Sequence, residues 1–363
     1  MEERNRGTHA RNEIMKTRSE EQLRLFSVRL FTESGIGSHE AEMITESLLA
    51  ANLRGHESHG IGLIPHYLNQ LKIGELAGNV DLKILSETGS LLTADAQFGF
   101  GQVQSRKMID SLIPKAKESG IACGTLMNCG HVGRLGEWVE RIALEGFAAF
   151  MSANDNGVLQ CVSPPGGKTP RISTNPIALG VPASDKPVVL DISTSVVANG
   201  KVRVKYVAEQ SCPEGWLLDS EGNPTTDPSV RFTDPKGTIL PFGGDFSFKG
   251  FGLGFLFDIL TGGLSGGFCP PAPENAPLAN NVMIIIWNPD LFAGRSHFLN
   301  EADKLIQYVR NTPRREGVEV IQLPGDRSEK TLIQRIKEGI PLDDGTWNRL
   351  SHVAEKLNIP VPE

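Results

Sequence analysis

Apolar residues recur at helical spacing near the start of the chain. Ser19 and Gln22 have the spacing of a capping box, and Leu23, Phe26 and Leu30 follow them on one helical face. Apolar stripes with this spacing predict two more helices: Ala41, Ile44, Leu48 and Ala51 for the second, and Ile61, Ile64, Leu68 and Leu71 for the third. The polar segment RGHESHG lies between the last two stripes and contains more ionisable residues than a simple turn between two helices requires.

The pattern changes at about residue 80. Short apolar runs bounded by Gly, Asp and Pro predict strands at LKIL, SLLTAD, IACGTLM, FAAFMSAN and PVVLDIS. Helical segments are predicted between them at 134–144 and 252–260, and the C-terminal part returns to helical spacing. The alternation indicates an α/β fold with a parallel or mixed sheet. We predict a disordered lead-in over 1–18, a discontinuous helical domain of 19–78 with 290–363, and an α/β domain over 79–289.

Composition narrows the possible partners. The 363 residues carry a net charge of -7, so no basic surface for nucleic acid or an anionic membrane is indicated. No apolar run has the length of a membrane span, and the N-terminus lacks the apolar segment of a secretory signal. The five cysteines form no CxxC pair, which argues against a disulfide framework and a zinc site. We expect a cytoplasmic protein that has no bound metal.

Glycines and polar groups are concentrated in two further segments, NCGHVGRLGEW and PVVLDISTS. Gly133 and Gly136 precede a helical stripe, where free backbone amides can approach a pyrophosphate. The alternative is a glycine-rich turn that only serves helix packing. The Rossmann fingerprint is absent, since GFG at 99–101 has Gln104 in place of the third glycine. A dinucleotide would therefore bind in a different way.

Two histidines are the best acid–base candidates. His59 and His131 lie in separate glycine-rich segments, and imidazole titrates near neutral pH. Asp191 ends an apolar run, so burial would require a partner; a histidine is one, and capping a helix that opens at Ile192 is the alternative. Ser58 precedes His59, but adjacent Ser and His side chains rarely approach as a hydrolytic pair.

Six ordered segments together resemble a known family. ANLRGHESHGIGLIPHY, NCGHVGRLGEW, RISTNPIALG, VVLDISTSVVANGKV, FKGFGLGFLFDILTGGLSGG and LPGD are similar to the malate/L-lactate dehydrogenase superfamily that lacks a Rossmann fold, especially its bacterial hydroxycarboxylate dehydrogenases. The likeness covers roughly residues 20 to 360. It implies a non-Rossmann mixed-sheet fold in which 79–289 binds the cofactor.

The resemblance also implies roles for individual residues. Ser58 and His59 would lie against nicotinamide and substrate, His131 would donate or accept the proton, and Asp191 would join a relay with the Ser-His pair. The two histidines remain alternatives as the acid–base. Cofactor contacts are implied for His59, Gly133, Arg134, Leu135, Val189, Leu190, Asp191, Ile192, Ser193, Phe248, Lys249, Asn280, Gly325, Asp326, Arg327 and Ser328. NAD is the expected cofactor, with NADP possible, and a homodimer is the expected assembly.

Two positions depart from many members of the family. Leu63 replaces an arginine that can bind the substrate carboxylate, and another cation such as Arg134 or Arg171 could take over that contact. Phe248 replaces a histidine, which leaves open whether the cofactor is NAD or NADP. We therefore expect an NAD(P)-dependent 2-hydroxycarboxylate dehydrogenase that favours apolar or aromatic side chains. A cyclic ketimine reductase, a Ser58–His59–Asp191 hydrolase and a non-catalytic binding protein are the alternatives.

Overall fold

The computed structural model describes residues 16–362. It begins with β1 (Lys16–Arg18), α1 (Glu20–Thr32), α2 (Ser38–Leu53) and α3 (Ile64–Ile73). The capping box predicted at Ser19 is present, and the three predicted apolar stripes are the inward faces of these helices. Two short 3-10 turns, Glu57–His59 and Ile61–Leu63, connect α2 to α3.

The middle of the chain alternates strands and helices. Its elements are β2 (Lys83–Glu87), β3 (Leu91–Asp95), α4 (Gly101–Ser119), β4 (Ile121–Cys129), α5 (Leu135–Leu144), β5 (Ala148–Asn154), β6 (Ile177–Val181), β7 (Val188–Ile192), α6 (Asn199–Val207), β8 (Leu217–Leu218), β9 (Pro224–Thr225), β10 (Thr238–Ile239), α7 (Phe248–Asp258) and β11 (Asn280–Trp287). A π-helical turn, Ile259–Gly263, extends α7.

Among residues 16–362, seven of these strands form one sheet in the order β2-β3-β4-β11-β5-β6-β7. Only β3 and β4 pair in parallel; the other neighbours are antiparallel. The predicted non-Rossmann mixed α/β fold is confirmed, with less parallel pairing than the alternation indicated. The strand β11 lies at the centre of the sheet although it is the last to enter it. It is not among the predicted strands, because a continuous apolar run gives no periodicity.

The C-terminal part consists of α8 (Arg295–Arg310), α9 (Asp326–Glu338), β12 (Ile340–Leu342) and α10 (Asp344–Lys356). The strand β12 pairs antiparallel with β1. Residues 16–18 of the predicted lead-in are therefore ordered, because their backbone completes this ladder and the Arg18 guanidinium stacks 4.6 Å from the Trp347 ring centroid. The rest of that lead-in, residues 1–15, lies outside the described residues. The predicted domain boundaries stay a prediction.

Two main apolar clusters hold these layers together. One joins the sheet to the inward faces of α4 and α5, including Trp138 and Ile284. The other joins α1, α2, α3 and α10, including Leu48 and Leu350. Among the described residues, no helix combines the length and apolarity needed to cross a membrane. The helix junction at 54–63 lies where the helical layer meets the sheet layer.

Candidate active site

The polar helix junction at 54–63 is held by ion pairs to two helices and by a hydrogen bond to Asn52. Arg54 pairs with Glu140 of α5 at 2.6 Å, and Glu57 pairs with Arg335 of α9 at 2.6 Å. Gly60 is required because a β-carbon there would overlap the Asn52 side chain, whose oxygen accepts the amide of Ile61 at 2.8 Å. The ionisable residues of RGHESHG thus fix the junction against two helices.

This junction separates two cavities. The larger, of ≈570 Å³, is lined by Arg54 and His56, and the smaller, of ≈350 Å³, by Ser58 and His59. The residues at the start of α5 are also distributed between the two cavities. Arg134 lines the larger cavity, and the residues on either side of it, Gly133 and Leu135, line the smaller one. Two glycine-rich segments that are distant in sequence therefore form the wall between the cavities.

The two candidate histidines meet in the smaller cavity. Their rings are stacked, with centroids 5.4 Å apart and planes 26° apart. The Ser58 hydroxyl lies 2.9 Å from Nδ1 of His59, so the adjacent pair does hydrogen-bond, contrary to expectation. The Tyr67 hydroxyl lies 2.7 Å from Nδ1 of His131 and accepts a hydrogen bond from Gln102 at 3.0 Å. Each ring is thus held through Nδ1, which leaves Nε2 for other chemistry.

Burial keeps both imidazoles neutral. It lowers the pKa of His131 to about 3 and that of His59 to about 4, and the proximity of the two rings adds to the shift of His131. Arg134 and Lys201 lower the pKa of His59 further. Both rings can therefore accept a proton at neutral pH, and protonation of one disfavours protonation of the other.

The larger cavity is rich in charge. Arg134 is 4% exposed, and its guanidinium bonds Glu140 at 3.0 Å while its Nε has no hydrogen-bond partner within the described residues. Because Arg54 also pairs with Glu140, that carboxylate holds both guanidinium groups at the cavity wall. A buried donor without a partner is suited to an anionic ligand.

The segment LPGD forms the opposite wall. Gly325 has φ 92°, a left-handed conformation that favours glycine, and precedes the first residue of α9. Asp326 pairs with Arg310 at 3.1 Å and accepts the Leu323 amide at 2.9 Å, which fixes this helix start. The backbone amides at a helix start form a site for phosphate groups. Gly325, Asp326, Arg327 and Ser328 all line the larger cavity, with Val189, Leu190 and Asp191.

Asp191 does not join the histidines. Its Oδ2 accepts the amide of Gly136 at 2.7 Å, in the first turn of α5, and within residues 16–362 it has no hydrogen bond to His59 or His131. The direct relay expected from the sequence is therefore wrong for this structure. A carboxylate at the end of β7 instead satisfies a free amide at a helix start and lies in the field of the helix dipole. Burial raises the pKa of Asp191, and Arg134 opposes that rise.

The remaining predicted cofactor residues divide into two groups. Asn280 lines the smaller cavity, accepts the Val132 amide at 3.1 Å and donates to the Asn154 carbonyl at 2.9 Å. Four residues line neither cavity: Ile192, Ser193, Phe248 and Lys249. Ile192 packs on the other side of the sheet because side chains alternate along a strand. Lys249 lies 5.0 Å from the exposed Phe246 ring centroid, so the structure does not bring it to the other site residues.

No Lys or Arg lines the smaller cavity among the residues described. Leu63 does line it, at the position where many relatives have arginine. Neither of the two arginines considered as its replacement lines the smaller cavity: Arg134 lines the larger one and Arg171 lines neither, so their contact with the substrate stays a prediction. The smaller cavity therefore lacks an arginine clamp for a second carboxylate.

Several residues of the site were missed in the sequence. Tyr67 occupies the apolar stripe of α3 and looks like an ordinary core residue, although it follows His66. Gln102 directly follows the second glycine of the incomplete Rossmann match at 99–104, and nothing in its spacing indicates a contact with Tyr67. Arg54 and His56 belong to the conspicuous RGHESHG segment, and its charge density was the signal that could have identified them.

Comparison with known proteins agrees with this geometry. Residues 18–351 match the sequence profile of the malate/L-lactate dehydrogenase family. Hydroxycarboxylate dehydrogenase B of Escherichia coli K12 is 35% identical over 93% of each chain, and L-lactate dehydrogenase of Cupriavidus necator is 31% identical over 89% of this chain and 92% of its own. The structure of a putative malate/lactate dehydrogenase from E. coli superposes with a TM-score of 0.87 at 34% identity, over 95% of this chain and 96% of that one. The chain belongs to the malate/L-lactate dehydrogenase family.

Proposed function

We propose that this oxidoreductase interconverts a 2-hydroxycarboxylate and its 2-oxo acid, with NAD as the cofactor. The observation that carries the proposal is the position of the histidine pair. Two neutral imidazoles line a small cavity that shares a wall with a larger, charged cavity. The first provides proton transfer and the second provides groups that bind phosphates, which are the two requirements of a nicotinamide-dependent dehydrogenase.

The residues around the larger cavity fit such a cofactor. The unpartnered Nε of Arg134 and the helix start after Gly325 are suited to hold its phosphates. Lys186 and Arg310 on this wall already contact Asp326, at 3.8 and 3.1 Å, so both of these cations have a carboxylate beside them. That pairing favours NAD over NADP, whose additional phosphate needs cations of its own. When bound, the nicotinamide ring supplies the hydride acceptor or donor.

The proton is handled by the histidines. In the oxidation, His131 or His59 takes the hydroxyl proton on Nε2, while Tyr67 or Ser58 holds the ring through Nδ1. In the reduction, the same group returns a proton to the oxygen. His131 is held by a buried chain that runs from Gln102 through Tyr67, and we propose it as the acid–base group. Ser58 and His59 then lie against nicotinamide and substrate.

The test is a screen for nicotinamide turnover. The purified enzyme is mixed with lactate-, malate- and aryl-lactate-type 2-oxo acids, with NADH or NADPH, and the absorbance of the reduced nicotinamide is followed. We expect oxidation of NADH by at least one 2-oxo acid. Turnover of cyclic imines but of no 2-oxo acid would replace the proposal by a ketimine reductase. Ester cleavage without nicotinamide turnover would replace it by a hydrolase, a reaction for which Asp191 is poorly placed.

We also propose a homodimer in the cytoplasm. Apolar side chains on α7 and the π-helical turn are exposed, including Phe255, Leu256, Ile259 and Leu264. An exposed apolar face of this extent suits a second copy of the chain, whose surface would also bring Phe248 and Lys249 under cover. The five free cysteines support a reducing compartment. Light scattering should give twice the 39.4 kDa chain mass, and Leu256→Asp should reduce it to the monomer; a monomeric, active wild type would contradict the dimer.

A further inference from the structure

Two buried carboxyls, Asp155 directly after β5 and Asp258 at the end of α7, differ in their hydrogen bonding. Asp258 accepts from the side-chain amides of Asn154 and Asn175, at 2.7 and 2.8 Å. Asp155 is 8% exposed, and neither of its carboxyl oxygens makes a hydrogen bond of good geometry to the described residues; the Ser173 side chain and the Leu159 backbone lie near it but hold it only weakly. A buried carboxyl that the protein satisfies poorly is costly, so this one is suited to accept a hydrogen bond from a ligand.

Asp155 is not needed to build the turn it lies in. Asn156 and Gly157 take positive φ values of 60° and 69° and reverse the chain after β5. The turn is held by Asn154, which accepts the Asn156 amide at 3.1 Å, and by Asn156, which accepts the Phe268 amide at 2.9 Å. The carboxyl of Asp155 makes none of these bonds. Its backbone position is thus fixed by its neighbours, and the residue lines the smaller cavity.

Burial and neighbouring groups determine the pKa of the Asp155 carboxyl. Burial raises the pKa of its carboxyl to about 7; weak hydrogen bonding to the Ser173 side chain opposes the rise, and the Asp258 charge adds to it. Burial raises the pKa of the neighbouring Cys161 thiol to about 12, so it stays neutral, and the cavity is also lined by Glu75, His59, His66 and His131. No lysine or arginine of the described residues lines this cavity to offset a second negative charge.

We infer that Asp155 selects the side chain of the substrate, taking a 2-oxo acid that carries a neutral hydrogen-bond donor, such as a hydroxyl or carboxamide, in preference to one that carries a second carboxylate. This inference rests on the proposed function. A carboxamide donates an N–H bond to the ionised carboxyl and satisfies it. A carboxylate offers no donor and adds like charge in a site without a cation.

The experiment compares oxaloacetate with its isosteric 4-carboxamide. The ratio of kcat/KM, amide over acid, is measured with NADH from pH 6 to 9; the proton consumed by the reduction is common to both and cancels. One unsatisfied hydrogen bond to a charged group should give roughly a 10- to 100-fold preference for the amide at pH 8. The ratio should fall as the pH falls below 7, because the protonated Asp155 can then donate to the substrate carboxylate.

Asp155→Asn supplies the matched variant. Its side-chain amide donates to a carboxylate, so the ratio should shrink to within a fewfold of one and lose its pH dependence. Glu75→Gln removes a carboxyl that also lines the cavity but is exposed, and it should leave the ratio near that of the wild type. A ratio near one in the wild type, or an unchanged ratio in Asp155→Asn, overturns the inference.

The outcome also separates this inference from the proposed function. If other 2-oxo acids are reduced but the amide is not preferred, the inference alone is wrong. If no 2-oxo acid is reduced with either cofactor, the proposed function is wrong and the inference with it. Should Asp155→Asn fail to fold, the pH dependence of the wild-type ratio decides: a flat ratio contradicts the role of Asp155.

Discussion

The two cavities beside the α2–α3 junction differ in charge more than in size. Within the described residues, the larger is lined by five cationic and six acidic side chains, and the smaller by two acidic side chains and no lysine or arginine. In the larger cavity, Glu140 and Asp326 hold cations in place. In the smaller, burial keeps His59 and His131 neutral. The comparison indicates a different role for each cavity. The larger has cations and a helix start that can bind an anion, the smaller has imidazoles that can exchange a proton, and the two share a wall.

The largest expected effect comes from removing an imidazole. His131→Ala and His59→Ala should each lower kcat by roughly 100- to 10,000-fold, the first because a positioned acid–base group contributes that much, and the second because the His59 ring positions the reactants and stacks on His131. The KM for the cofactor should change little, since the phosphate-binding residues line the other cavity. Steady-state kinetics measure both, and His39→Ala, at an exposed position of α2, is the control. Near-wild-type turnover in both variants would show that neither histidine is the acid–base.

The next effect tests the charged cavity. Arg134→Met should raise the KM for NADH by roughly 10- to 100-fold, as expected for a lost hydrogen bond to a charged group, and preserve kcat at saturating cofactor. Glu140 keeps its partner Arg54 in this variant, so the wall stays paired. Arg141→Met, on the same helix but outside both cavities, is the matched control. An unchanged KM would place the phosphates elsewhere.

A smaller effect is expected from the wall that Leu63 forms. Leu63→Arg should shift the ratio of kcat/KM for oxaloacetate over phenylpyruvate upward by about tenfold, because it supplies a charge-assisted hydrogen bond to the second carboxylate. The wild type should prefer phenylpyruvate, whose ring gains contact with the leucine. A wild type that already prefers oxaloacetate, or a ratio that the arginine leaves unchanged, would show that Leu63 does not select the substrate.

The smallest effect concerns the Tyr67 hydroxyl. Tyr67→Phe removes one hydrogen bond to His131, and kcat should fall by about 2- to 10-fold, the net value of one such bond. The KM for NADH should stay unchanged. Tyr308→Phe, at an exposed position of α8, provides the comparison. A loss as large as that of His131→Ala would indicate that Tyr67 itself exchanges the proton.

The sequence predicted what is encoded locally. The capping box at Ser19 and the apolar stripes of α1 to α3 depend only on spacing, and the structure has them. The central strand β11 was missed because a continuous run of apolar residues does not distinguish strand from helix. The partner of Asp191 was missed for a different reason: it is a backbone amide, from Gly136, that only the tertiary fold brings near.

The sequence also did not predict which residues of the site contact one another in the smaller cavity. The roles implied by the resemblance for Ser58, His59 and His131 stay predictions, although the structure brings these residues to one cavity. Asp155 follows a strand in the segment NDNG, which indicates a turn and conceals a cavity residue. Only burial and the absence of a hydrogen bond of good geometry to the described residues single it out.

Transfer of label from the cofactor to the substrate tests the central claim most directly. The enzyme is given NADH in which both C4 hydrogens of the nicotinamide are deuterium, in ordinary water and with the 2-oxo acid that it reduces fastest, and the product is analysed by mass spectrometry; a second reaction uses unlabelled NADH in deuterated water. The account predicts one deuterium at C2 of the 2-hydroxy acid and none from deuterated water at that carbon. A product without the label, or C2 hydrogen drawn from solvent, would contradict hydride transfer between the two cavities.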